Sequence, residues 1–199
     1  MWQTEVKVDG PYLFKRALKR LSADPAKLIN IERESIVVPL VIADHAYAVT
    51  IQHIGTTQKP FFRLSGDVLP EHEHKVVKEI SRIFQWDVSY KLLAQHFKDT
   101  DLGPLFVKLE GTPLVLDFSL YFSLMKSIIH QQLNLTFSHT LTARFVQTFG
   151  FQKDGVWFPP SADTVSELAY EDLTALQFRR RKAEYVIDTS RLISSGELQ

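Results

Sequence analysis

The period of the hydrophobic pattern changes once along this 199-residue chain, and that change limits the folds open to it. Up to about residue 113, short runs of β-branched and aromatic residues accompany two stretches of helical spacing. From about residue 114, apolar residues recur every third or fourth position almost to the end. A strand repeat of about 2 and a helix repeat of about 3.6 bury different sets of side chains. The pattern predicts an α+β protein, with an N-terminal antiparallel sheet and its helices over residues 1–113, linker included. A nearly all-helical part over residues 114–199 follows.

The elements can be placed one by one. Trp2, Val6 and Val8 mark a strand. Asp9-Gly10-Pro11 reads as a turn, with Pro11 suited to a first helical position. Leu13, Phe14, Ala17, Leu18 and Leu21 follow at helical spacing, stopped by Asp24-Pro25. Residues 29–32, 36–43, 47–53 and 61–65 are strand candidates, with Asp44-His45 as the hairpin turn and Gly66-Asp67 closing the last. Residues 71–84 carry a helical stripe of Val76, Val77, Ile80, Ile83 and Phe84. Residues 98–104 and 111–113 read as loop and linker. Beyond them, Asp117 is a candidate N-cap for a helix with Tyr121, Leu124, Met125, Ile128, Ile129 and Gln132 at helical spacing. Asn134 or Thr136 caps a helix with Phe137, Leu141, Phe145 and Phe149, and Gly150 ends it. Residues 155–160 read as a turn. Ser161 opens a helix with Val165 and Leu168, Leu173 and Leu176 lie on a short helical turn, and residues 180–194 form a last helix closed by Gly196.

Composition narrows the function classes. Lys and Arg number 23, as do Asp and Glu, so the net charge is zero. Non-specific nucleic-acid binders carry a basic excess, so any contact with DNA must come from a local patch or from geometry. The absence of cysteine excludes disulfides, thiolate zinc sites and a cysteine nucleophile. Met1-Trp2-Gln3-Thr4-Glu5 lacks the basic start and apolar run of a secretory signal. No stretch approaches the roughly 20 apolar residues that span a bilayer. A cytoplasmic protein without a membrane partner is expected.

The segment Ser127-Ile128-Ile129-His130-Gln131-Gln132-Leu133-Asn134-Leu135 carries the sharpest signal. Two adjacent glutamines end an apolar helix. An amide donates and accepts at once, so it can read a base edge or fill the gap left by an extruded nucleotide. The plainer reading is a helix turning polar as it leaves the core. Arg179-Arg180-Arg181-Lys182 is the one strong basic run. Its members are candidate phosphate contacts, or the solvated start of a helix, where cations are slightly unfavourable. His72-Glu73-His74 places imidazoles at i and i+2, which share no helix face, so it reads as a polar first turn and no metal site is expected. Neither nucleotide-phosphate nor serine-hydrolase motifs occur.

Taken together, these pieces resemble the bacterial 3-methyladenine DNA glycosylase II family, the alkylation-repair branch of the helix-hairpin-helix glycosylases. The resemblance is most specific in Ile128-Ile129-His130-Gln131-Gln132 and Leu141-Thr142-Ala143-Arg144-Phe145. It continues through Phe158-Pro159-Pro160-Ser161 to Leu176-Gln177-Phe178-Arg179-Arg180-Arg181-Lys182-Ala183-Glu184. By element order, the N-terminal part resembles that family's sheet domain, which looks like half of a TATA-binding-protein fold. Residues 114–199 then correspond to the first helices of an all-α helix-hairpin-helix glycosylase domain.

The resemblance implies base-excision repair: an alkylated purine is flipped from duplex DNA and its N-glycosidic bond is hydrolysed. It implies double-stranded DNA with alkylated bases as partner, no cofactor, no metal, no obligate protein partner, and a cytoplasmic site of action at the nucleoid. It places the DNA-binding wedge loop at Gln131, Gln132, Leu133 and Asn134, leaving open which side chain inserts. The family's glycine-rich hairpin and catalytic aspartate would fall beyond Gln199, so no catalytic residue is carried onto this sequence. Two alternatives stay open: a non-catalytic DNA-binding remnant, or an unrelated α+β module that binds a ligand or a protein. If helices are missing, Ile128, Phe145, Val186 and their neighbours would lack part of their cover, and association or marginal stability is expected.

Overall fold

The computed structural model describes residues 1–22 and 27–198; the helix stop expected at Asp24-Pro25 lies outside the described residues. The chain divides into two compact units, Met1–Leu116 and Asp117–Gln199.

In the first unit, β1 (Trp2–Lys7), β2 (Ile29–Asn30), β3 (Ser35–Ile42), β4 (His45–His53) and β5 (Phe61–Gly66) form an antiparallel sheet in the order β1-β5-β4-β3-β2. The register sets Ile36 opposite Ile51, Val38 opposite Val49, Leu40 opposite Tyr47 and Leu64 opposite Ile51. All of these are buried, so alternation has placed one face of the sheet in the core. Phe62 continues that face and meets Phe14 edge to face, with ring centroids 5.0 Å apart. Phe14 opens α1 (Phe14–Leu21), whose Ala17, Leu18 and Leu21 are also buried. The helix α2 (Glu73–Phe84) buries Val76, Ile80, Ile83 and Phe84. The mixed α+β architecture is the expected one.

Several local expectations need correction. Pro11 stands outside α1, after a cis Gly10–Pro11 peptide. The amides of Tyr12 and Leu13 donate to Thr57 O and Gly111 O instead of opening the helix. The β3–β4 turn is Ala43-Asp44, not Asp44-His45, because Ile42 pairs with His45. Both turn residues are left-handed (φ 47° and 65°), the two-residue geometry whose twist suits a hairpin. The strand β2 stops at Asn30, whose Oδ1 accepts the Arg33 amide at 2.9 Å and turns the chain.

Residues 98–104 are not simple linker: α3 (Tyr90–His96) precedes them and α4 (Gly103–Lys108) begins within them. Pro104 is tolerated there because a first-turn amide has no intrahelical partner. A Cβ on Gly103 would lie 2.3 Å from Lys98 O. His72 is not part of a solvated first turn either. It is buried, on a 3-10 turn before α2, and its Nδ1 lies 2.6 Å from the Tyr47 hydroxyl. No group of His, Asp and Glu side chains suited to a metal occurs among the described residues.

The second unit contains α5 (Leu120–His130), α6 (Leu135–Phe149), the hairpin β6 (Phe151–Lys153) and β7 (Val156–Phe158), then α7 (Ala162–Ser166), α8 (Tyr170–Ala175) and α9 (Arg180–Ser194). Its core includes Met125, Ile129, Leu141, Phe145, Val165, Leu173, Phe178, Val186 and Ile187. Phe145 and Val186 are fully buried and Ile128 is half-buried against this cluster. The expectation of incomplete cover is therefore corrected for Phe145 and Val186, whereas Ile128 is covered only in part. The short helices α7 and α8 contribute Val165 and Leu173 to this same core.

The cap of α5 is Ser119, whose Oγ accepts the Phe122 amide at 3.2 Å. Asp117, the expected cap, pairs with Lys126 instead. Residues 155–160 belong largely to the β6–β7 hairpin, which turns at left-handed Asp154 and Gly155. Gly150 does follow α6, but in an extended rather than left-handed conformation. Its small size is what matters: a Cβ would sit 2.2 Å from Phe158 O and 2.5 Å from Val146 O. Among the described residues, no helix is long and apolar enough to cross a membrane.

Candidate nucleic-acid interface

The end of α5, the loop after it and the start of α6 form the candidate site. An α-helix leaves its last carbonyls without intrahelical donors. Here His130 is the last helical residue and Gln131 leaves the helix with ψ 130°. Gln132, expected at helical spacing with α5, lies beyond the helix and is left-handed at φ 57°, a conformation uncommon outside glycine and asparagine. Asn134 then caps α6, its Oδ1 accepting the Phe137 amide at 2.8 Å. Thr136, the other cap candidate, lies inside α6.

The loop is anchored on both sides. Gln131, Gln132 and Asn134 are exposed, whereas Leu133 is half-buried and packs against the core of this unit. The adjacent amides of Gln131 and Gln132 therefore meet solvent, and the apolar side chain beside them faces inward.

The basic run does not act as one patch. Arg180 binds Glu171 at 2.5 Å and Glu184 at 3.1 Å, and its guanidinium lies 4.9 Å from the Tyr170 ring centroid. Lys182 turns to the candidate loop. Its Nζ donates to Ile128 O at 3.0 Å, Ile129 O at 2.7 Å and Gln131 O at 2.9 Å. Burial, then the charge of Arg179, holds its ammonium below the ordinary lysine range. Arg179 and Arg181 are exposed.

The contact between His130 and the polar side chains of α6 carries no signal in the sequence, because its members come from different elements. The Thr142 hydroxyl donates to Ser138 O at 2.9 Å, so it accepts from His130 Nε2 at 3.0 Å. This fixes His130 as the Nε2–H tautomer when neutral. The His139 ring stands 5.5 Å away. Burial lowers the His130 pKa, and the positive charges of His139, Lys126 and Lys182 push it the same way against the opposing pull of Asp117.

A folded pKa below the unfolded value makes protons bind the unfolded chain first. His130 thus contributes full stability above about pH 6.5 and loses it as pH falls through the folded pKa. Between about pH 7 and pH 5, the urea midpoint of the wild type is expected to fall more than that of His130→Gln. Parallel slopes would refute this.

With this geometry in place, the comparisons with known proteins acquire a location. Residues 125–197 match the family profile described as the HhH-GPD superfamily of base excision DNA repair proteins. That span runs from the middle of α5 past the end of α9 and includes the whole candidate loop. YfjP of Bacillus subtilis (strain 168), provisionally named a DNA-3-methyladenine glycosylase, is 48% identical over 199 residues, covering 100% of this chain and 68% of that protein.

The chain belongs to the DNA-3-methyladenine glycosylase family of this superfamily. A second Bacillus subtilis (strain 168) protein, named DNA-3-methyladenine glycosylase, is 25% identical over 179 residues, 86% of this chain and 59% of that one. The solved 3-methyladenine DNA-glycosylase of Archaeoglobus fulgidus shares the fold with a TM-score of 0.76 at 18% identity, over 96% of this chain and 66% of that one. The 8-oxoguanine glycosylase/lyase of Clostridium acetobutylicum, solved with double-stranded DNA, shares it at 0.67 and 16% identity, over 100% of this chain and 67% of that one. The chain thus spans about two thirds of the length of most of these relatives.

Proposed function

We propose that this chain supplies the DNA-engaging loop of a base-excision glycosylase that removes alkylated purines from double-stranded DNA. The observation that carries this reading is the exposed pair Gln131 and Gln132 on an anchored loop, within the segment that matches the superfamily.

Flipping a base costs roughly a few kcal/mol, least for a damaged and poorly stacked one. A side chain that enters the vacated stack offsets part of that cost and replaces lost base-edge hydrogen bonds. Gln132, at the left-handed turn of the loop, is assigned this insertion, with Gln131 and Asn134 beside it. Leu133 is assigned to holding the loop on the core. Arg179 and Arg181 are assigned the phosphate contacts. Water then cleaves the N-glycosidic bond, giving a free base and an abasic sugar. No residue of this chain is assigned the role of the catalytic aspartate. The site of action is the cytoplasm, at the nucleoid.

The test uses a duplex with one alkylated purine and its undamaged counterpart. Tighter binding to the first, with base release by the product of the intact gene, is the expected result. Binding without release would favour a DNA-binding protein without catalysis. The absence of both binding and base release would overturn the reading.

A further inference from the structure

We propose that Lys182 is a positioning residue for Gln131 and Gln132 rather than a phosphate contact, an inference that rests on reading their loop as the DNA-engaging element. An ammonium has three protons and no acceptor. The three carbonyls within reach, Ile128 O, Ile129 O and Gln131 O, take all three. A phosphate could be engaged only by releasing one of them.

Two of these carbonyls belong to the last turn of α5, and the third is the first carbonyl of the loop. The lysine therefore fastens the loop to the helix just before Gln132 turns left-handed. Asn134 fastens the other end. Charge supports the assignment. Lys182 lies in the first turn of α9, where the helix dipole disfavours a cation. Its long stem carries the charge to the C-terminal end of α5, where the dipole favours one. Arg180, two residues earlier, is held by Glu171 and Glu184 and takes no part.

Three variants test this: Lys182→Met, Lys182→Gln and Lys182→Arg. The first readout is amide hydrogen exchange at Gln131, Gln132 and Leu133. Lys182→Met is expected to speed exchange there about tenfold or more, the loss of hydrogen bonds to a charged group. Lys182→Gln should fall between, and Lys182→Arg should restore protection. The second readout is the salt dependence of binding to an undamaged duplex. Lys182→Met is expected to weaken binding about tenfold with an unchanged slope of log affinity against log salt, which Lys182→Arg rescues.

A slope reduced by about one, with exchange unchanged, would identify a phosphate contact and overturn the proposal. Unchanged exchange in Lys182→Met overturns it in any case. If both uncharged variants fail to fold, Lys182 is a stability residue and the proposal also falls. If the wild type binds no duplex, the proposed function fails while the exchange readout still decides the role of Lys182.

Discussion

Gln132→Ala is expected to weaken binding to a duplex with one alkylated purine by about ten- to a hundredfold, from the roughly 1–3 kcal/mol lost when base-edge partners go unmatched. The fold should not change, because Gln132 is exposed and contributes nothing to the core of its unit. A fluorescent adenine analogue placed beside the lesion reports unstacking directly. The wild type should raise its emission, and Gln132→Ala should not. Gln131→Ala should keep the signal, because Gln131 is held by its own carbonyl to Lys182 and sits one residue before the turn. Leu133→Ala distinguishes the apolar alternative. Its side chain packs on the core, so its loss should lower thermal stability before it affects the flipped state. A fluorescence signal that survives Gln132→Ala but disappears in Leu133→Ala at equal folded fraction would reverse the assignment.

Phe145→Ala is expected to cost about 3–5 kcal/mol, the usual penalty for removing a buried aromatic ring. Phe145 is 0% exposed, with its ring centroid 5.8 Å from Phe149 and 6.3 Å from Phe178. Those neighbours come from α6 itself and from the segment leading into α9, so the cavity would separate parts that cannot easily close on it. Domains of this size are stable by only about 5–15 kcal/mol. The substitution should therefore remove a large share of the stability of the second unit and lower its urea midpoint clearly. Urea unfolding followed by circular dichroism measures it. Leu120→Ala is the matched control: Leu120 is 87% exposed, and its loss should change stability by no more than about 0.5 kcal/mol. A penalty for Phe145→Ala below about 1 kcal/mol would mean that this core does not hold the unit together.

Elements with a long period were readable from the residues. The last helix runs over Arg180–Ser194, the expected span, because Ala183, Val186 and Ile187 recur at helical spacing and left-handed Gly196 follows. In the sheet, the structure decided which positions face the core (Ile36, Val38, Leu40, Tyr47, Val49 and Ile51), because neighbours such as Val37 and Val41 are apolar too. The strands themselves were readable as runs rich in β-branched and aromatic residues. Short elements were not. In β6 and β7, three residues each give no periodicity to count, and α4 begins at a Gly-Pro pair that reads as a break. The choice between Asp117 and Ser119 as cap was invisible too. Both types cap helices, and only the position of Lys126 decides which one is drawn away.

The candidate site divides along the same line. Gln131, Gln132 and Asn134 are neighbours in the chain, so an amide pair at a helix end and a capping asparagine are visible as local chemistry, while their reading as a DNA-binding loop comes from the family resemblance. The order and type of the long elements follow from the residues for the same reason: hydrophobic period and turn chemistry are properties of adjacent positions. The roles of Arg180 and Lys182 depend on groups in other elements, at Glu171 on the preceding helix and at carbonyls more than fifty residues earlier. In sequence they are two members of one basic run. Arg180 has one acidic partner on its own helix, Glu184, but only the packing of α9 on α8 and α5 adds Glu171 to it and gives Lys182 three carbonyls, because a charge takes its function from the groups that surround it in space.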